Sequence, residues 1–105
     1  MTLPGRGEVW WGEAPDAKGR PYLVLTRDEA IPVLRGLLVA PVTRTIRGIP
    51  TEVPLGPDEG LATECVATFD ASTVFPRAML VRRMGALPPN RIHELCDALA
   101  AATDC

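Results

Sequence analysis

A chain of 105 residues is expected to form one domain with a compact core, and 47% apolar content places it among globular rather than disordered sequences. No apolar run approaches the ~20 residues of a membrane-spanning helix. The opening "MTLPGRGEVWW" lacks the apolar stretch of a signal peptide, so a cytoplasmic protein is expected.

The net charge of −2 argues against indiscriminate nucleic-acid binding, but it is unevenly spread. Residues 18–47 hold six basic side chains against two acidic ones, a local charge of +4, while the remainder carries −6. A basic segment on an acidic body suits a local site for a phosphate-bearing ligand. A solvated basic edge would give the same count.

In chain order, "RGEVWWGEA" (6–14) predicts a first strand, with Val9 and Trp11 on one face and Glu8 and Trp10 on the other. "EAPDAKG" (13–19) reads as a loop. "RPYLVLTRD" (20–28) predicts a second strand, whose proline stands at the open start where no ladder hydrogen bond is needed. "EAIPV" reads as a short helical turn broken at Pro32, and "LRGLLVAPVTRT" (34–45) as a third strand. "TEVPL" (51–55) alternates like a half-buried strand, with Pro54 marking an edge or bulge, and "GPDEGL" (56–61) is a turn. "ECVATFDAST" (64–73) predicts a strand entering a loop, and "AMLVRRMGAL" (78–87) the last strand. The end differs. Ile92, Leu95, Cys96 and Leu99 recur at helical spacing and Pro89 suits a first helical position, so one amphipathic helix is predicted over 89–102. Short strands followed by one helix predict a mainly β fold with a C-terminal helix, its antiparallel strands curled into a small sheet or barrel.

Several chemistries are excluded. Cys65, Cys96 and Cys105 are odd in number and widely spaced, without a CxxC or Cys/His cluster, so they are expected to be free thiols and no zinc site is expected. The acidic residues form no metal-ligand pattern. The lone histidine, His93, lies mid-helix off the apolar stripe, which leaves no Ser-His-Asp set, and no glycine-rich phosphate loop is present. Any catalysis is therefore expected to use neither metal nor histidine, and no cofactor.

Arginine and threonine remain. Arg20 stands where a loop enters the second strand, and Thr43 where the third strand leaves its apolar run. If those strands pair antiparallel, the two meet at one edge of the sheet. A guanidinium fork and a hydroxyl could together hold the charge that builds on a phosphorane-like transition state. An arginine capping a loop beside an ordinary strand threonine would look the same in sequence.

At this point the ordered motifs "RGEVWWGEAP", "GRPYLVLT", "VAPVTRT", "PTEVPL" and "LPPNRIHELCDALAAAT" resemble the MazF/PemK family of toxin endoribonucleases across nearly the whole chain. The resemblance implies an SH3-like barrel, usually a homodimer, that cleaves single-stranded RNA without metal and is held by a cognate antitoxin. Arg20 falls on the family's active-site arginine and Thr43 on its active-site threonine. The implied reaction is attack by a ribose 2′-OH on the adjacent phosphate, giving 2′,3′-cyclic phosphate and 5′-OH ends. A guanidinium is a poor general base, so an electrostatic role is expected of Arg20. Arg44 and Arg47, just after Thr43, are candidate phosphate contacts. The loop before Arg20 departs from the family, being shorter and without its usual glutamate. Glu13 and Asp16 are the nearest substitutes, and Asp70 lies about one residue from an acidic position that some members use. Two other readings fit a small barrel: a toxin that binds a protein such as gyrase, which would not need the Arg/Thr pair, and a noncatalytic nucleic-acid binder. The second would display stacking aromatics, and among Trp10, Trp11, Tyr22, Phe69 and Phe75 both Trp11 and Tyr22 are expected to be strand-buried.

Overall fold

The apolar runs do form strands. In the computed structural model, which describes residues 2–104, the elements follow one another as β1 (Glu8–Gly12), β2 (Arg20–Val24), β3 (Gly36–Thr43), β4 (Glu52–Leu55), β5 (Cys65–Thr68), β6 (Thr73–Pro76), β7 (Leu80–Ala86) and the helix α1 (Ile92–Thr103). Every pairing is antiparallel, in the order β4-β5-β3-β2-β1-β7, with β6 also on β3. None of the described helices is long and apolar enough to cross a membrane.

The sheet curls because its central strand changes neighbours. On one side of β3, β6 pairs with Gly36–Val39 and β5 with Val42–Thr43. A 3-10 turn at Phe69–Ala71, anchored by buried Phe69, carries the chain from one to the other. Here the structure corrects the sequence reading. The strand predicted within 64–73 ends at Thr68, where the Phe69–Ala71 turn begins, and a further strand, β6, falls where a loop was expected. The two ends of the strand order then approach each other. Gly60, at φ +92°, and Gly85 lie against each other's backbones so closely that a Cβ at Gly60 would collide with the Met84 carbonyl, and one at Gly85 with the Glu59 carbonyl. Only glycine allows that approach.

Both faces of the curled sheet are covered. Val9, Leu23, Ala40, Val53 and Leu55 pack with Leu95 and Ala98 of α1. On the other face Trp10, Val24, Leu37 and Val39 pack with Ile31, Phe75 and Leu80. Burial on both faces explains why β2 and β3 read as continuous apolar runs rather than as alternation. It also reverses the expectation for the tryptophans. The two do point to opposite faces, but Trp10 is the buried one, with its Nε1 donating to Glu8 Oε1 at 2.9 Å, while Trp11 is only partly covered. Tyr22 is likewise half-buried, its ring 4.6 Å from that of Phe75. On α1 the buried stripe is Leu95 and Ala98, flanked by Ile92, Leu99 and Ala102. Cys96, expected on that stripe, is exposed. Cys65 and Cys96 are free thiols; Cys105 lies outside the described residues.

One ionic cluster fixes the helix to the sheet. A 3-10 turn at Pro89–Arg91 leads into α1, and Arg91 donates to the Pro54 carbonyl (2.7 Å) and both Glu94 oxygens (2.8 Å each). It also pairs with Glu59 at 3.2 Å, whose other oxygen accepts the Gly56 N–H at 2.7 Å. Glu59 is buried, so removing its partner leaves a charge poorly solvated. We expect Arg91→Met to cost on the order of 3 kcal/mol, read as a lowered urea midpoint. The Arg91 hydrogen bond holds the Glu94 carboxyl below its ordinary value, against the opposing effect of burial. At Glu8 burial pushes the carboxyl up, but hydrogen bonds from Trp10, Gly5 and Arg83 outweigh it and the net shift is down. Groups lowered on folding stabilise above the unfolded carboxylate range, and that contribution is lost as pH falls through their folded values. Glu8→Gln and Glu94→Gln should therefore each flatten the fall of stability on acidification, measured as urea midpoint against pH.

Candidate active site

The β2–β3 ladder runs from Val24↔Val39 to Tyr22↔Pro41 and stops. Leu25 N–H donates to the Leu38 carbonyl, so Leu38, Ala40 and Val42 are the β3 residues whose backbone faces β2. Opposite Val42 the continued register sets Pro21, which brings no N–H, while β5 pairs with Val42 and Thr43 along the other edge of β3. Continued by two residues, the β2–β3 register sets Arg20 level with Thr43. Arg20 spans the opening: its Nη2 donates to the Val42 carbonyl at 3.0 Å, so the side chain is held across the ends of both strands. One of five guanidinium donors is spent there, and no described carboxylate pairs with the rest. The Thr43 hydroxyl accepts the Thr45 N–H at 3.2 Å, and no described acceptor takes its proton.

Two cavities meet at this pair, and Arg20 and Thr43 line both. The first, about 300 Å³, runs between Trp11, Leu61, Cys65 and Met84, with Arg44 at its wall. The second, about 360 Å³, is polar, with Thr45, Arg47, Glu52, Thr68 and Asp70. Of the residues singled out by sequence, the structure thus gathers Arg20, Thr43, Arg44, Arg47 and Asp70 around one opening. Asp70 sits on the 3-10 turn after β5, its Oδ2 accepting the Thr51 hydroxyl at 2.7 Å. Glu13 stands apart. It lines neither cavity, and its Oε2 accepts the Trp11 Nε1–H at 2.9 Å. Asp16 is exposed in the same loop and lines neither. The +4 segment is not one patch either: Arg27 lines a separate groove with Arg6, Leu34 and Val74.

Three contributors escaped sequence reasoning. Trp11 pairs with Pro21 across β1–β2, next to Arg20, a position that follows from strand pairing but not from the motif. Cys65 lies in the cavity wall, where burial first, then Glu59 and Glu64, push its thiol up, so it stays protonated. Glu52 fastens the loop that carries the two arginines, its Oε1 accepting the Arg47 N–H at 3.0 Å and the Gly48 N–H at 2.9 Å. The available signal was a carboxylate opening an alternating strand four residues after a glycine. Glu52→Ala should speed hydrogen exchange at the Arg47 and Gly48 amides about tenfold, while Glu52→Gln, which keeps an acceptor, should speed it less.

Residues 5–103 match the family of PemK-like, MazF-like toxins of type II toxin–antitoxin systems. The chain is 45% identical over 105 residues to the Mycobacterium tuberculosis protein named "Probable endoribonuclease MazF5", covering 99% of this chain and 96% of that one. Among solved structures it superposes on the Mycobacterium tuberculosis toxin MazF-mt6 with a TM-score of 0.84 and 34% identity, covering 92% and 96% of the two chains. It also superposes on a mycobacterial endoribonuclease in complex with its cognate antitoxin, with a TM-score of 0.82 and 26% identity, covering 96% and 95%.

Proposed function

Because the chain belongs to the PemK-like, MazF-like toxin family, we propose that it is the toxin of a type II toxin–antitoxin pair and cleaves single-stranded RNA at the junction of the two cavities. The observation that carries this reading is the shared position of Arg20 and Thr43, which line both cavities and leave donors unspent.

A phosphate bridging two nucleotides fits such a junction, with one nucleotide on each side. The ribose 2′-oxygen attacks the adjacent phosphorus, the P–O5′ bond breaks, and the proton from the 2′-OH passes to solvent or base while the departing 5′-oxygen gains one. The products are a 2′,3′-cyclic phosphate and a 5′-OH. Negative charge grows on the non-bridging oxygens, and the Arg20 fork and the Thr43 O–H donate to them. Because Arg20 is already fixed on the Val42 carbonyl, it need not reorganise as that charge develops. Arg44 and Arg47 hold flanking phosphates on either side. No carboxylate is assigned a proton-transfer role.

We further propose that the toxin acts in the cytoplasm as a single domain and a homodimer, and that an antitoxin segment with acidic side chains covers the arginine-lined opening. The alternatives of gyrase binding and noncatalytic RNA binding lack support beside relatives that carry endoribonuclease in their names.

Purified protein with mixed single-stranded RNA and excess EDTA should cleave and leave cyclic phosphate ends. Arg20→Ala should lower cleavage at least about 10²-fold without loss of the circular dichroism spectrum. Arg20→Lys should also be impaired, since a point charge does not replace a fork. Full activity in folded Arg20→Ala would refute the assignment.

A further inference from the structure

We propose that Trp11 stacks a nucleobase next to the scissile phosphate, in the apolar cavity adjoining Arg20 and Thr43. This rests on the ribonuclease reading above. Since both cavities share Arg20 and Thr43, a phosphate held there sends its neighbouring nucleotides one into each. The two cavities differ in kind. One is polar; the other is walled by Trp11, Leu61 and Met84, with Arg44 in its wall, and suits a flat, weakly polar base whose own phosphate meets Arg44.

The ring is also set in place before any ligand arrives. Trp11 pairs on one side with Pro21 of β2 and on the other with Arg82 of β7. Its Nε1–H is already bonded to Glu13, so stacking strands no polar group. Gly19 lets the loop lie against the indole, since a Cβ there would come within 2.5 Å of its Nε1 and Cζ2. Glu13 and Gly19 are thus positioning residues for the ring. Trp10 shows the contrast: same residue type, adjacent in sequence, but sunk into the second core with its N–H on Glu8. A fixed, partly open indole beside a phosphate-binding pair is the arrangement by which single-stranded nucleic acid is commonly gripped.

The test uses an oligoribonucleotide cleaved by the wild-type chain, with its cleavage site mapped. Versions carrying an abasic residue at each position flanking the scissile bond are then compared on wild type, Trp11→Phe and Trp11→Ala. Stacking is worth about 1–3 kcal/mol per base, so Trp11→Ala should lower kcat/KM on the intact strand about 5- to 150-fold, while Trp11→Phe keeps most of it. One abasic position should cost wild type the same factor and cost Trp11→Ala almost nothing, while the other positions act independently. An uncleavable 2′-O-methyl strand should quench wild-type tryptophan fluorescence and leave Trp11→Phe unquenched, which decides the matter even if Trp11→Ala does not fold. Independent effects at every position, or equal quenching in Trp11→Phe, would overturn the stacking role while leaving the nuclease intact, and would mark the cavity as the seat of a protein ligand. Failure of the wild-type chain to cleave any RNA would overturn the nuclease reading and the stacking role together.

Discussion

The whole site depends on where β3 lets go of β2. A strand is held to its neighbour by a ladder of backbone bonds, and Pro21, opposite Val42, has no donor to offer one. There the β2–β3 ladder stops while β3 runs on along β5 at its other edge, and the two strand ends part with the Arg20 side chain bridging them through the Val42 carbonyl. The divergence makes room for a ligand. The bridge keeps the most useful charge in the molecule from swinging into that room. Both effects come from the same few residues, so the cleft and its cation are a single piece of architecture.

The rest of the fold secures that geometry from a distance. Helix and loops cover the sheet on both faces, so β2 and β3 are pinned by Leu23 and Ala40 from one side and Val24 and Val39 from the other. The glycine-to-glycine contact between the Glu59 turn and β7 brings the sheet's far edges together, and Arg91 ties that turn to the helix. The wall of the apolar cavity, Leu61 and Met84, lies beside this seam, so its shape is inherited from the curling of the sheet as much as from the strands that carry Arg20 and Thr43.

Much of this was legible in the residues. Apolar runs, proline positions and the helical spacing at the end located every strand but β6, and the antiparallel order brought Arg20 and Thr43 together. What escaped has a common cause. Two-sided burial removes the alternation that tells an inward residue from an outward one, so Trp10 and Trp11 could not be ranked. β6 is four residues ending in proline, too short to show a pattern against the kink at Phe69–Ala71. Cys96 sits at the flank of a stripe that Ala98 occupies, and alanine carries too little apolar weight to reveal the true centre. Glu13 was singled out as a stand-in for a missing loop carboxylate, but its location beside Trp11 depends on an indole N–H that spacing cannot aim.

The protonated thiol of Cys65 has a consequence for anyone seeking to block this cleft. Its sulphur contributes a soft, polarisable surface to the apolar wall and contacts the Leu55 carbonyl at 3.6 Å. It is not a handle for covalent attachment, because the thiolate that an electrophile needs is suppressed by burial and by two neighbouring carboxylates. Of the two described thiols, an electrophilic compound meets exposed Cys96 on α1 before Cys65. An inhibitor of this pocket must therefore gain its residence by shape and stacking, and under oxidising conditions the half-buried Met84 thioether, not the Cys65 thiol, is the sulphur of the wall open to modification.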